Sequence, residues 1–482
     1  MKKLLIFLLP LLVLAGCKKD LTSLNVDPKN PASAFSYALF TNAQRTLART
    51  VTSANVNLNI FRLIEQYWTE TTYTDESNYD LQTRQIPRGI WNAFYRDVLR
   101  DFQEAKKLIP TDLLDAATQK ADPVQQKNAL ATVDVMEVYT WYYLVTTYGN
   151  IPYTEALNID NTFPKYDDQK AIFTDLITRI NADIAAFDVS GAGIGKADII
   201  YGGKVSSWKK FAASLKLKMG MTLADVDPAT AKTIVESAIA TGVFTSNSDN
   251  AKFVFLTASP NTNPVWEDLV QSGRKDFVGT VTIVNKLKTL NDPRLPSYFT
   301  FDATGTDYKG GIAGASNNYA TFSKPATGIT AADYPANLLD YSEVEFFLAE
   351  AKERGFTVPG TAMDHYNSAI SASILFWGGT QAQADTYIAQ PAVNYLTASG
   401  DYKAKIGVQE WLALYNRGYD SWIEQRRLDQ PKLPAPDAPL TNFPVRFTYS
   451  IDEQNINTTN YNAASTAIGG DKVTTKLFWD KF

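Results

Sequence analysis

Between Tyr67 and Asp80 the chain reads Tyr-Trp-Thr-Glu-Thr-Thr-Tyr-Thr-Asp-Glu-Ser-Asn-Tyr-Asp, with no aliphatic residue among the rings and short polar groups. Such a stretch can bury little, so part of its aromatic surface is expected to face water. Rings alternating with hydroxyl, amide and acid groups suit sugar recognition. A flat apolar sugar face stacks on Tyr or Trp, while Asn, Asp and Thr take the hydroxyls. Tyr73, Asn78 and Tyr79 are the first candidates for ligand contact. Tyr298, Tyr308 and Tyr319, in a later irregular region, form a second set. Trp68 and Trp91 lie on helical stretches and are expected to fold back onto neighbouring helices.

Catalytic machinery is sparse. The one histidine, His365, lies inside an expected helix and reads as a partly exposed helix residue; a Ser-His-Asp triad would have no other base. The one cysteine, Cys17, leaves no internal disulfide and no thiolate cluster, and zinc chemistry usually needs several His or Cys ligands. Gly191 to Gly195 is glycine-rich but follows a helix, so it reads as a flexible loop rather than a nucleotide site. A carboxylate pair of the glycosidase kind stays open among 51 acidic residues. Most of these, including Glu343, Glu345, Glu350 and Glu353, are expected to be solvated helix faces. The expectation is a binding protein, not an enzyme, with no catalytic residue, cofactor or metal. Whether Ca²⁺ sits in the Asp- and Asn-rich loops stays open.

The elements that must position these residues begin after a targeting segment. Lys2 and Lys3 precede an apolar run from Leu4 to Leu14, too short to span a bilayer and fitting for a signal peptide. Leu14-Ala15-Gly16-Cys17 resembles the lipobox of bacterial lipoproteins, in which the Cys17 thiol takes a diacylglyceryl group and becomes residue one. Residues 1–16 are then signal peptide and 17–33 a lipidated tether, which anchors the protein to a membrane it does not cross. The net charge of −5 argues against general nucleic-acid binding.

From 34 to 482 a single domain is expected, mostly α. Helical patterns start near Ala34. A stripe with Val133, Met136, Thr140 and Tyr143 pairs with one carrying Phe173, Leu176, Ile180 and Phe187. Trp208, Phe211, Leu215 and Met219 pair with a short helix capped by Asp227-Pro228. A helix capped by Asp340 pairs with one through Tyr366, Ile370 and Trp377. A fourth pattern runs from about 408 to 427. Repeated helical hairpins suggest tetratricopeptide-like packing, although the usual consensus is missing. Irregular segments at about 243–335, 378–406 and 428–482 form a large loop-rich subdomain, and long loops of this kind are often functional.

Further pieces carry a family resemblance: Asn25-Val26-Asp27-Pro28, Tyr148-Gly149-Asn150-Ile151-Pro152-Tyr153, Asn291-Asp292-Pro293-Arg294-Leu295-Pro296, Tyr341 to Ala351, Gln409 to Tyr415, Trp422 to Arg427 and Phe478-Trp479-Asp480. With the lipobox, in this order, they span nearly the whole chain, which resembles the SusD/RagB family of outer-membrane nutrient-binding lipoproteins, in its SusD-like branch. The resemblance implies tetratricopeptide-like units with an irregular ligand-bearing subdomain. It also implies an outward-facing lid on a SusC-like TonB-dependent transporter, capturing oligosaccharides or, in some branches, peptides. The resembling motifs belong to the scaffold and do not map ligand residues.

Overall fold

The computed structural model describes residues 34–114 and 120–482. Cys17 and the expected signal peptide and tether lie outside the described residues. Ten of the helices pack as pairs: α1 (Ser36–Thr52) with α2 (Arg100–Asp112), α3 (Pro123–Tyr148) with α4 (Gln169–Ala186), and α5 (Val205–Thr222) with α6 (Pro228–Thr241). α7 (Tyr341–Glu353) packs with α8 (Ala362–Phe376), and α9 (Tyr402–Ala413) with α10 (Gly418–Leu428). The expected mostly helical, tetratricopeptide-like scaffold is present, with an additional N-terminal pair that the sequence pattern does not resolve. That pair is fastened at one end by Ser36, whose backbone N–H and hydroxyl both donate to Asp112 at 2.6 Å. Phe40 meets Phe102 between the two helices, ring centres 5.9 Å apart.

Helix starts follow local rules. The Asp122 carboxylate accepts from the Val124 and Gln125 N–H groups, and Asp227 and Asp340 do the same for Thr230 and Glu343. Thr361 and Asp364 form a reciprocal capping box. Each such cap contributes about 1 kcal/mol. From Asn128 onward α3 is buried around nearly its whole circumference, so it is the central helix rather than a one-faced stripe.

The pattern expected at 408–427 is two helices, not one. The chain turns at Leu414 to Arg417 because Gly418 lies against the backbone of Phe61 and Arg62. A Cβ at Gly418 would stand 2.7 Å from the Arg62 nitrogen.

The expectation that Glu343, Glu345 and Glu350 are solvated is overturned. All three are buried, and only Glu353 is exposed. Glu343 lies 2.7 Å from the Lys218 ammonium and 2.7 Å from Arg417. Asp420 completes this group through contacts to both cations. About two helical turns further along, Arg427 holds Glu350 and Glu424, each at 2.6 Å, and Glu350 also takes Arg354 at 2.7 Å. These charges tie α5, α7 and α10 together. Burial opposes the Lys218 charge, but Asp420 and Glu343 outweigh it and hold the ammonium well above its ordinary range. Glu410 on α9 is fully buried, and burial, then the neighbouring Glu424, raises its pKa well above the ordinary carboxylate range.

His365 is more specific than an incidental helix residue. Its Nδ1 lies 2.6 Å from Glu345 of α7 and its Nε2 2.7 Å from the Pro359 carbonyl. Acceptors at both ring nitrogens favour the doubly protonated imidazolium. Burial works against that charge, but the two acceptors prevail and raise the pKa.

Two outcomes follow. Arg427→Ala leaves Glu424 without its ion-pair partner and Glu350 with Arg354 alone, and should cost about 3–5 kcal/mol in urea unfolding at neutral pH. The His365 clamp is fully present below the unfolded pKa of about 6.5 and is lost as pH rises through the raised folded value. The stability advantage of wild type over His365→Gln should therefore be greatest in mild acid and shrink as pH increases, read from urea unfolding across pH.

Candidate functional site

The aromatic-polar stretch leaves the scaffold through a short strand, β1 (Trp68–Glu70). It pairs antiparallel with β5 (Phe277–Gly279), Glu70 opposite Phe277; the two other strand pairs join β2 (Ile151–Pro152) to β3 (Tyr166–Asp167) and β4 (Ala251–Phe253) to β6 (Ala336–Leu339). Pairing continues one residue further. The Thr71 N–H donates to the Asp276 carbonyl at 2.8 Å and its hydroxyl to the Lys275 carbonyl at 2.7 Å. Beyond Thr71 the strands part and leave a cleft of about 280 Å³. Asn55, Asn57, Glu70, Tyr73, Arg84, Arg274 and Asp276 are among its lining residues.

Tyr73 stands out in this cleft. Its ring is 78% exposed, and its backbone sits in the left-handed region at φ 55°. Gln66, Tyr79 and Gln85 also have positive φ. Non-glycine residues held there cost of order 1 kcal/mol or more each, and such strain concentrates at ligand sites.

Asn78 fixes the loop. Its amide donates to the carbonyls of Thr74 at 3.0 Å and Gly314 at 2.7 Å, and its oxygen accepts from the Ala438 N–H at 2.9 Å. Gly314 is required at this contact, since its φ is +78° and a Cβ would stand 2.2 Å from the Asn78 oxygen. Asn317 adds a second strap by donating to the Glu70 carbonyl at 3.3 Å.

Thus the candidate contacts separate by role. Tyr73 is presented to solvent. Asn78 is buried and braces the loop, while Tyr79 is buried with its ring against Phe443. Tyr298 has no exposed surface. It stacks on Tyr415 with ring centres 4.1 Å apart and donates to the Leu412 carbonyl at 2.7 Å, so it serves the core. Tyr308 is half-buried beside Phe301, away from the lining of this cleft. Tyr319 lies beneath the Lys324 ammonium. Trp68 and Trp91 are both buried; Trp91 lies on a helix as expected, but Trp68 lies on strand β1 instead. Sequence reading missed Asn55, Asn57, Arg84, Arg274 and Asp276. Asn55-Val56-Asn57 carries a weak turn signal; the others carry none, because contact across some 200 residues of chain brings them together.

The cleft wall holds an unusual acid pair. Both Glu70 and Glu76 are buried. Glu70 accepts from the Ser77 N–H and hydroxyl, each at 3.0 Å. Burial, then the adjoining Glu76, pushes the Glu70 pKa up to about 8, and burial raises Glu76 too. Arg84 approaches Glu76 at 3.2 Å. Burial thus favours the neutral carboxyl at both positions. Neither carboxyl oxygen of Glu76 has a hydrogen-bond partner among the described residues. Among the described residues no group of three or more His, Cys, Asp or Glu is placed to hold a metal ion.

Comparison with known proteins defines the scaffold around this cleft. The family model of SusD-like proteins, described as starch-binding and associating with the outer membrane, matches residues 28–450. The chain belongs to this SusD-like family. Its fold is similar to that of a SusD-like protein from Bacteroidetes, at TM-score 0.81 and 22% identity, covering 93% of this chain and 100% of that one. A chitin-binding protein follows at TM-score 0.80 and 25% identity, with coverage of 93% and 100%. A chitin-binding SusD homologue from Flavobacterium johnsoniae matches at TM-score 0.78 and 23% identity, covering 92% and 98%. No curated protein matches this SusD-like chain in sequence. No described helix is long and apolar enough to cross a membrane.

The acid pair makes a pH prediction. With its folded pKa raised, Glu70 contributes fully below the unfolded value of 4.5 and loses that contribution as pH rises to about 8. Glu70→Gln keeps an acceptor for Ser77 but cannot ionise. Its stability relative to wild type should climb between pH 4.5 and about 8 and then level, measured by urea unfolding.

Proposed function

We propose that this SusD-like protein captures oligosaccharides at the cell surface and delivers them, unaltered, to a SusC-like TonB-dependent outer-membrane transporter. A lipid on Cys17 would hold it to the outer membrane, facing outward. The observation that carries this reading is the exposed Tyr73 ring, fixed on strained backbone above a cleft of amide, carboxyl and guanidinium groups. A sugar ring laid on Tyr73 would bury its apolar face, while Asn55, Asn57 and the rim of the cleft exchange hydrogen bonds with its hydroxyls. The strain is held in advance by Asn78, Gly314 and Asn317, so little ordering is left for binding to oppose. The family description as starch-binding, and two structural relatives named as chitin-binding, support a glycan over a peptide.

In this reading the chain does no chemistry on its ligand. Handover requires only that the glycan leave the open cleft when the transporter offers more contacts. The partnership is tested by purification from detergent extracts of the native membrane: a large β-barrel should accompany the protein, and reproducible isolation without one would count against it. The site is tested by calorimetry. Tyr73→Ala should weaken glycan binding about tenfold through lost stacking, with urea unfolding unchanged because the ring contributes little to the core. Undiminished affinity would place the site elsewhere.

A further inference from the structure

The cleft carries two guanidiniums, a common means of gripping an acidic sugar, yet both are already engaged. Arg84 is held by its own loop, at 3.2 Å from Glu76 and 3.8 Å from Asp75. Arg274 is 3.2 Å from Asp276, which lies two residues along the same extended segment. Asp268 lines the cleft as well. Among the lining residues Glu70, Asp268 and Asp276 face Arg84 and Arg274, so carboxyl groups outnumber guanidiniums. The Debye length is about 8 Å at physiological salt, so neighbouring charges on the cleft lining act together on a ligand charge placed among them.

We infer that the cleft selects uncharged glycans, and that Asp276 is a specificity-determining residue because it occupies Arg274, the guanidinium an acidic sugar would otherwise bind. The inference rests on the glycan-binding reading of the cleft and specifies its substrate class.

The two arginines differ in how readily they could be released. Arg84 faces buried Glu76, whose removal would disturb the loop. The Arg274 and Asp276 side chains are 56% and 41% exposed. Such a pair adds little to stability, and the structural work of Asp276 is done by its backbone, whose carbonyl accepts from Thr71. Asp276→Asn therefore removes a charge without removing a support. It leaves the planar Arg274 fork free to take a carboxylate through two parallel hydrogen bonds. Removal of the Asp276 charge and release of the fork act in the same direction, towards acidic ligands.

The experiment measures calorimetric affinity for maltohexaose, cellohexaose and chitohexaose, each beside its C6-oxidised form, in which the primary alcohols are carboxylates. Wild type is expected to bind at least one neutral hexamer, and at least tenfold more tightly than its oxidised form. Asp276→Asn should narrow that ratio by roughly five- to tenfold. The double variant Asp276→Asn, Arg274→Gln should lose the part of the gain that comes from the guanidinium. Raising the salt concentration should shrink the wild-type discrimination.

A wild type that binds an oxidised hexamer as tightly as its neutral parent overturns the inference. So does a ratio that Asp276→Asn leaves unchanged; in both cases the glycan-binding reading survives. Binding of none of the three neutral hexamers by wild type overturns the glycan reading and this inference together.

Discussion

Lys218 has almost no access to water, and an ammonium in that position needs carboxylates around it or must give up its charge. Glu343 and Asp420 supply them, and they lie 125 and 202 residues further along the chain. Arg417 and Arg427 extend the arrangement, so that α5, α7 and α10 can pack only in the register that pairs every charge. Apolar contact between these helices would tolerate some sliding; a buried charge left without its partner would not. The lattice has a further consequence at the loops. The turn that separates α9 from α10 brings Gly418 against Arg62, and Arg62 itself donates to the carbonyls of Thr52 and Ser53. The chain segment that becomes β1 therefore starts from a fixed point.

From that point the site is built with few regular elements. A three-residue strand pair sets Glu70 opposite Phe277, and Thr71 extends it. Beyond it, side-chain amides take over the bracing that a sheet would otherwise give: Asn78 bridges to Gly314 and Ala438, and Asn317 to Glu70. This explains how an irregular loop can hold Tyr73 in a left-handed conformation with its ring in water.

Much of the scaffold was legible in the chain. Asp227 and Asp340 are helix caps both by local sequence and in the structure, and the apolar periodicity located three of the helix pairs. Glu343 and Glu350 were not legible as core residues. Acids at those positions on an amphipathic helix look the same whether they face water or a guanidinium that arrives 70 residues later. Tyr298 was misjudged as a candidate contact for a related reason, since a tyrosine in a loop-rich segment gives no local sign that Tyr415 will stack on it. Tyr73 came from composition, but Arg84, Arg274 and Asp276 could not. Their meeting depends on the β1–β5 pairing, which three-residue strands do not announce.

The central claim is capture without conversion. The most direct measurement titrates the soluble form beginning at Lys18 with a panel of glycans and peptides in a calorimeter, followed by chromatography of the recovered ligand. The account predicts saturable binding of one class of glycan and its recovery intact. Binding confined to peptides, or a glycan returned as shorter products, would contradict it.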